Sequence, residues 1–253
     1  MTDDGQQLAI FIDFENIVLG LRGTRKKFDI VKVLDRMLEK GKVTVKKAYA
    51  DWGRFRDYKT AFHESAIELI EIPNRSRTGK NSADIRMVVD AMDLSYSKTH
   101  IETFVIVSGD SDFSPLVSKL KENGRTVIGV GMKDSTSELL RDNCDEFIYI
   151  EDIERAPLAQ PAIPDAVPAE RRPAMQQLID SILALKRNNK ETLYSSMIKD
   201  TIKRMRPQFD ESFYGYHSFS DLLEDAERAG ILKLTTDARS GTYVVTGFQK
   251  KRT

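Results

Sequence analysis

Four aspartates carry the chemistry open to this chain. Ser108-Gly109-Asp110-Ser111-Asp112-Phe113 follows the apolar run Phe104-Val105-Ile106-Val107, so two carboxylates fall on a tight turn where a buried strand ends. A second acidic turn comes near the start, where Leu8-Ala9-Ile10-Phe11-Ile12 runs into Asp13-Phe14-Glu15-Asn16. A third acid, Asp84, opens an amphipathic segment after the basic stretch Arg75 to Lys80. Four carboxylates drawn to one place repel one another and need a counter-charge. A magnesium or manganese ion on oxygen ligands supplies it, and can activate a water for attack on phosphorus. Asp13, Asp84 and Asp110 are read as metal ligands, with Asp112 a further ligand or a general base. Asn16 can orient a water or a phosphate oxygen, and the Ser108 and Ser111 hydroxyls can touch the substrate.

Composition narrows the alternatives. The 253 residues are 40% hydrophobic and 31% charged, enough for one large core or two smaller ones. No apolar run approaches the roughly 20 residues that cross a bilayer, and Met1-Thr2-Asp3-Asp4 does not open a signal peptide, so a cytoplasmic protein with no membrane contact is expected. A single cysteine, Cys144, and three scattered histidines, His63, His100 and His217, show no zinc-ligand spacing. Any metal therefore sits on oxygen.

Net charge is zero but unevenly divided: residues 1–154 hold 23 Lys+Arg against 27 Asp+Glu, and residues 155–253 hold 16 against 12. The surplus of four cations in the second part favours a polyanionic partner.

The elements that position these residues alternate. Strands are expected at 8–13, 43–50, 67–72, 102–108, 126–131 and 147–150, with helices near 28–40, 54–66, 82–97, 112–123 and 135–142. This βα order predicts an α/β, Rossmann-like, mostly parallel sheet with helices on both faces, which binds ligands beyond the carboxyl ends of its strands. Asp13 and Asp110 both fall at such ends. Five of the eight prolines lie between 157 and 173, so residues 154–172 read as a Pro/Ala-rich tether. Helical patterns at about 173–187, 193–206 and 218–229, followed by a small hairpin, then predict a winged helix-turn-helix.

Singly, each acid has a plain structural role: Asp13 ends a strand, Asp84 caps a helix, Asp112 caps the helix starting at Phe113. Jointly, two acidic strand ends and a helix-start acid after a basic loop favour the chemical reading. Asp90 and Asp93, further along the Asp84 helix, are assigned to structure. A haloacid-dehalogenase-type phosphatase needs a second aspartate where Glu15 stands, and the Asp110-Ser111-Asp112 triplet of nucleotide-sugar transferases is too short to outweigh the companion acids.

Three ordered motifs carry a resemblance: Ile12-Asp13-Phe14-Glu15-Asn16; Lys80-Asn81-Ser82-Ala83-Asp84 leading to Val89-Asp90-Ala91; and Ser108 to Val117. Over residues 7 to about 152 the chain is similar to the NYN domain family of PIN-like metal-dependent ribonucleases. The resemblance implies hydrolysis of RNA phosphodiesters with Mg2+ or Mn2+, using Asp13, Asp84, Asp110 and Asp112 with Asn16 beside them. Residues Pro173 to Gly247 resemble the OST-HTH or LOTUS domain, most visibly in Tyr216-His217-Ser218-Phe219-Ser220-Asp221-Leu222-Leu223. That resemblance implies RNA or protein partners. The expected domains are an NYN nuclease at 1–153, the linker at 154–172 and a winged helix at 173–253.

Contacts to single-stranded RNA are expected from cations and stacking rings. Arg22 and Arg25, with Lys26 and Lys27, follow the first acidic turn; Arg75, Arg77 and Lys80 precede Asp84. Trp52 is either a stacking ring or core. In the second domain Lys203, Arg204 and Tyr216 are candidates, with Tyr214, His217, Lys199 and Arg206 nearby, while Phe219, Leu222, Leu223 and Ala226 keep core spacing. The rival reading is a non-catalytic RNA-binding adaptor that recruits proteins.

Overall fold

Near-continuous apolar strands can be satisfied only by burial on both faces, and the first strand shows how this is done. A computed structural model of the chain describes residues 6–21, 27–72, 82–154 and 160–249. The first part runs β1 (Gln7–Asp13), α1 (Phe14–Gly20), α2 (Ile30–Leu38), β2 (Lys42–Ala50), α3 (Arg56–Glu64), β3 (Glu68–Glu71), α4 (Ser82–Ser97) and β4 (Ile101–Val107), then α5 (Ser114–Glu122), β5 (Thr126–Gly131), α6 (Glu138–Asn143), β6 (Glu146–Tyr149) and α7 (Ile150–Glu154). Along β1, Leu8, Ile10 and Ile12 enter one hydrophobic cluster while Ala9 and Phe11 enter another. Such alternation is the period-two geometry of a strand. Strand β4 splits likewise, with Val105 and Val107 on the first side and Phe104 and Ile106 on the second.

Helices cover both faces. Ile30, Val33 and Met37 of α2 and Phe62 of α3 close one side; Met87 and Ala91 of α4, Leu116, Val117 and Leu120 of α5 and Leu140 of α6 close the other. The six strands are all parallel, in the order β3-β2-β1-β4-β5-β6. The α/β fold expected from the sequence is the one found. Because β1 and β4 are neighbours whose following connections lead to opposite halves of the sheet, a crevice opens beyond their carboxyl ends. Asp13 ends β1, and Asp110 lies three residues past the end of β4.

Two short helices depart from expectation. The segment after Asp13, read as a turn, is helix α1, held because Phe14 and Ile17 are fully buried while Asp13 caps its first turn. Helix α7 follows β6 without a break and packs Ile150 and Ile153 on the α2 side of the sheet.

The chain divides into two compact units, residues 1–155 and 156–253. The second contains α8 (Arg172–Arg187), β7 (Leu193–Tyr194), α9 (Ser195–Met205), a 3₁₀ turn (Glu211–Tyr214), α10 (Phe219–Arg228), β8 (Leu232–Thr236) and β9 (Tyr243–Phe248). Its strands form an antiparallel sheet in the order β7-β9-β8, so the expected hairpin gains a short third strand. Helix α10 starts with a capping box: Ser218 accepts from the Asp221 amide, and Asp221 accepts from the Ser218 amide.

The proline-rich stretch is not a tether throughout. Val167 is buried in the core of the second unit and Ile163 packs against it. Arg172 donates to the carbonyls of Val167 at 3.2 Å and Pro164 at 3.1 Å, which fastens this stretch to the start of α8. Apolar residues spaced between the prolines found a surface to bury on, which composition alone does not reveal.

Candidate active site

At the carboxyl edge of the sheet the backbone itself fixes the acids. Asp13 is only 5% exposed. Its Oδ1 accepts from the Asn16 amide at 3.3 Å, and its Oδ2 accepts from the Ser108 hydroxyl at 3.0 Å. The side-chain oxygen of Asn16 in turn accepts from the Gly109 amide at 2.9 Å. The ends of β1 and β4 are thus laced together by side chains from each. Gly109 lies against the segment before α6: a Cβ placed there would stand 2.8 Å from the carbonyl oxygen of Ser135, so no larger residue fits without displacing backbone. Asp110 caps the 3₁₀ turn Ser111–Phe113, accepting from the Asp112 amide at 3.0 Å, and Asp112 is exposed.

Electrostatics place Asp84 in the same group. Burial, and after it repulsion from Asp110, Asp112 and Glu15, pushes its carboxyl up to about 6. Burial also pushes Asp13 up to about 7; the Asn16 and Ser108 hydrogen bonds oppose this, and Asp84 and Asp110 add to it. Both shifts come first from burial, with neighbouring carboxylates adding to it. Glu15 was absent from the expected set. Its Oε1 accepts from the Asp51 amide at 3.0 Å and its Oε2 faces Arg54 Nη1 at 3.6 Å. Its place two residues after Asp13 was the available signal, but only the short helix α1 shows where it points.

The donors suit a hard cation, being carboxylate oxygens. Among the described residues, however, no three acidic, histidine or cysteine side chains stand close enough together to enclose an ion. The charge density that calls for a cation is present, while the side chains are not drawn into a closed cage.

Beside the acids lies a groove of about 710 Å³, bordered by α4, α5 and α6 and reaching Asp84, Ser111 and Asp112. Asp90, assigned to structure, accepts from the Tyr49 hydroxyl at 2.8 Å, Lys47 at 3.3 Å and Arg86 at 3.0 Å.

Several expected nucleic-acid contacts need correction. Ser108 is fully buried and committed to Asp13, so it acts on the acid and not on a substrate. Trp52 is 1% exposed and stacks on Phe14 at 5.3 Å; a ring just past a strand end is pulled into the aromatic nest. Tyr216 is 4% exposed, donates to Asp225 at 2.8 Å and lies under the Arg171 guanidinium, so it is a core residue of the second unit. Lys203 is exposed on α9, and Arg204 is half-buried and donates to Thr201. Phe213, at the 3₁₀ turn, is instead 84% exposed. Arg22, Arg25, Arg75, Arg77 and Lys80 lie outside the described residues.

The family model of the NYN domain matches residues 7–151, more than half of the chain. The chain belongs to the NYN domain family. Members of this family are PIN-like nucleases, a fold that generally uses divalent metals. Residues 173–229 match the OST-HTH/LOTUS domain, a module that binds RNA and partner proteins. The pairing supports a ribonuclease-type or RNA-binding role. An uncharacterized protein of Methanocaldococcus jannaschii is 29% identical over 150 residues, 57% of this chain; the match spans 55% of that relative's length. The crystal structure of a Vibrio parahaemolyticus protein of unknown function matches with a TM-score of 0.53 at 24% identity, covering 60% of this chain and 98% of that one. At that identity the likeness speaks for the fold. No helix among the described residues is long and apolar enough to cross a membrane.

Proposed function

We propose that this NYN protein is a Mg2+- or Mn2+-dependent ribonuclease that hydrolyses phosphodiester bonds in single-stranded RNA in the cytoplasm. One observation carries the reading: at the β1/β4 switch point, side chains from each strand end lock the other in place beside a set of carboxylates that raise one another's pKa. Asp13, Asp84 and Asp110 would hold the cation, with Asp112 alongside. Bound there, a divalent cation neutralises the carboxylates, lowers the pKa of a water and stabilises the leaving oxygen.

The chain's own residues have distinct duties. Ser108 and the Asn16 amide fix the orientation of Asp13, one on each oxygen. Asn16 holds the Gly109 turn through its side-chain oxygen, and so sets where Asp110 begins. Asp112, exposed and lining the groove, takes a proton from the attacking water in this reading, or serves as a further metal ligand. Residues 1–153 carry the chemistry in this reading, and residues 173–253 capture RNA through exposed groups such as Lys203.

A second reading has its own support. Because the carboxylates do not close into a cage, the chain can instead serve as an RNA-binding adaptor that recruits protein partners through its second unit. Labelled single-stranded RNA incubated with Mn2+, Mg2+ or chelator separates the two. The nuclease reading expects metal-dependent cleavage that Asp13→Asn and Asp110→Asn lose by about a thousandfold. Cleavage surviving chelation, or folded variants cutting at the parental rate, defeats it. Binding without cleavage in either metal establishes the adaptor.

A further inference from the structure

Resting on the nuclease reading, we propose that the groove between α4, α5 and α6 holds an unpaired nucleobase of the substrate next to the scissile phosphate. Its walls are aliphatic: Ile85, Val88 and Val89 from α4, Pro115 from α5 and Leu139 from α6. Ile85, Val89 and Leu139 are 63%, 56% and 60% exposed, so three large apolar side chains face solvent around one depression. Single exposed apolar residues are ordinary; a cluster lining a concavity marks a binding surface.

The polar groups point to a base. The Ser111 hydroxyl and the Asn143 side-chain amide line the groove without a hydrogen-bond partner among the described residues. An amide that both donates and accepts matches a base edge. Ser114, also lining the groove, has a buried hydroxyl oxygen with no partner. Apolar walls with a few unengaged polar groups are the usual composition of a small-ligand site, and about 710 Å³ has room for a base with its sugar.

Location decides between a base and a protein segment. The groove runs to Asp84 and Asp112, so a docked polypeptide would cover the acids and exclude the phosphate. A nucleotide whose phosphate lies at those acids has its own base within reach of the groove. The aliphatic walls contact the flat faces of a base without asking which base it is, while Asn143 supplies any preference. A paired base in a duplex cannot enter, so the groove also selects single strands.

The test uses the full chain with Ile85→Ser, Val89→Ser, Leu139→Ser and Asn143→Ala; the first three alter exposed positions and should leave folding intact. Binding of RNA bearing a fluorescent base analogue is followed in calcium, without turnover. The parent should change the analogue's emission at one position in the oligonucleotide, and each serine variant should weaken binding about fivefold to tenfold and lose that change. An abasic residue walked through a cleavable RNA should raise the parent's KM most at the nucleotide flanking the cut. The serine variants should show no further loss with that RNA. Variants that bind like the parent with unchanged emission, or abasic losses that add fully to the variants' losses, overturn the inference. If the parent binds RNA in this way but cuts none in any metal, the nuclease reading falls and the groove survives as a base-binding site.

Discussion

Asp84 and Asp90 stand on the same helix, six residues apart, and their surroundings have nothing in common. Asp90 is enclosed by Lys47, Arg86 and the Tyr49 hydroxyl, so its charge is met on every side. Asp84 faces Asp110, Asp112 and Glu15, and among the described residues no cation pairs with it. Among the described residues, then, the acid on the inner turns of α4 is paired with cations and a hydroxyl, while the acid at its start is set among other acids.

Cleavage offers the sharpest separation of the two. Asp84→Asn should reduce metal-dependent RNA cleavage by about a thousandfold, while Asp90→Asn should change it less than threefold. Equal losses in single-turnover assays would erase the distinction.

Stability against pH tests the same contrast from the opposite direction. Asp13 titrates near 7 in the fold and near 3.8 when unfolded. The folded state therefore binds the proton more tightly, and its stability is complete below about pH 4 and falls as pH rises to about 7. Asp13→Asn removes this loss and should stabilise the metal-free protein by up to about 4 kcal/mol at pH 8, with little effect near pH 4. Adding Mn2+ at pH 8 should raise the melting temperature of the parent more than that of the variant. Calorimetry showing no pH dependence in the difference would contradict the burial of that carboxylate as a charge.

Gly109→Ala acts on the backbone that aims Asp110. With Ser135 so near, the added methyl should cost roughly 1–2 kcal/mol and lower cleavage along with stability. Wild-type melting behaviour would show that the two segments separate easily. On the compensated side, Tyr49→Phe deletes one hydrogen bond to Asp90 and should cost about 1 kcal/mol with cleavage unchanged. A drop in turnover there would make Asp90 part of the chemistry.

Much of this was legible in the residues. Fully apolar runs such as Phe104 to Val107 have one stable setting, a strand covered on both faces, and an aspartate just past such a run has to lie at the sheet's edge. What escaped notice depended on contacts distant in sequence. Besides the local Arg86, Asp90 is held by Lys47 and Tyr49, some forty residues earlier, and nothing local announces those two. Trp52 and Tyr216 sit in stretches too short for any periodicity to assign a face. Val167 looks like linker until α8 offers it a surface, and Glu15 looks incidental until α1 turns it toward Asp84.

Phe14 stands between Asp13 and Glu15, with its ring fitted among Phe28, Trp52, Phe55, Tyr58 and Phe62. The peg that anchors the fold and the hinge on which two acids are mounted are consequently one residue. Any heating or substitution that loosens the peg also spoils the aim, so turnover should fade before the molecule visibly melts.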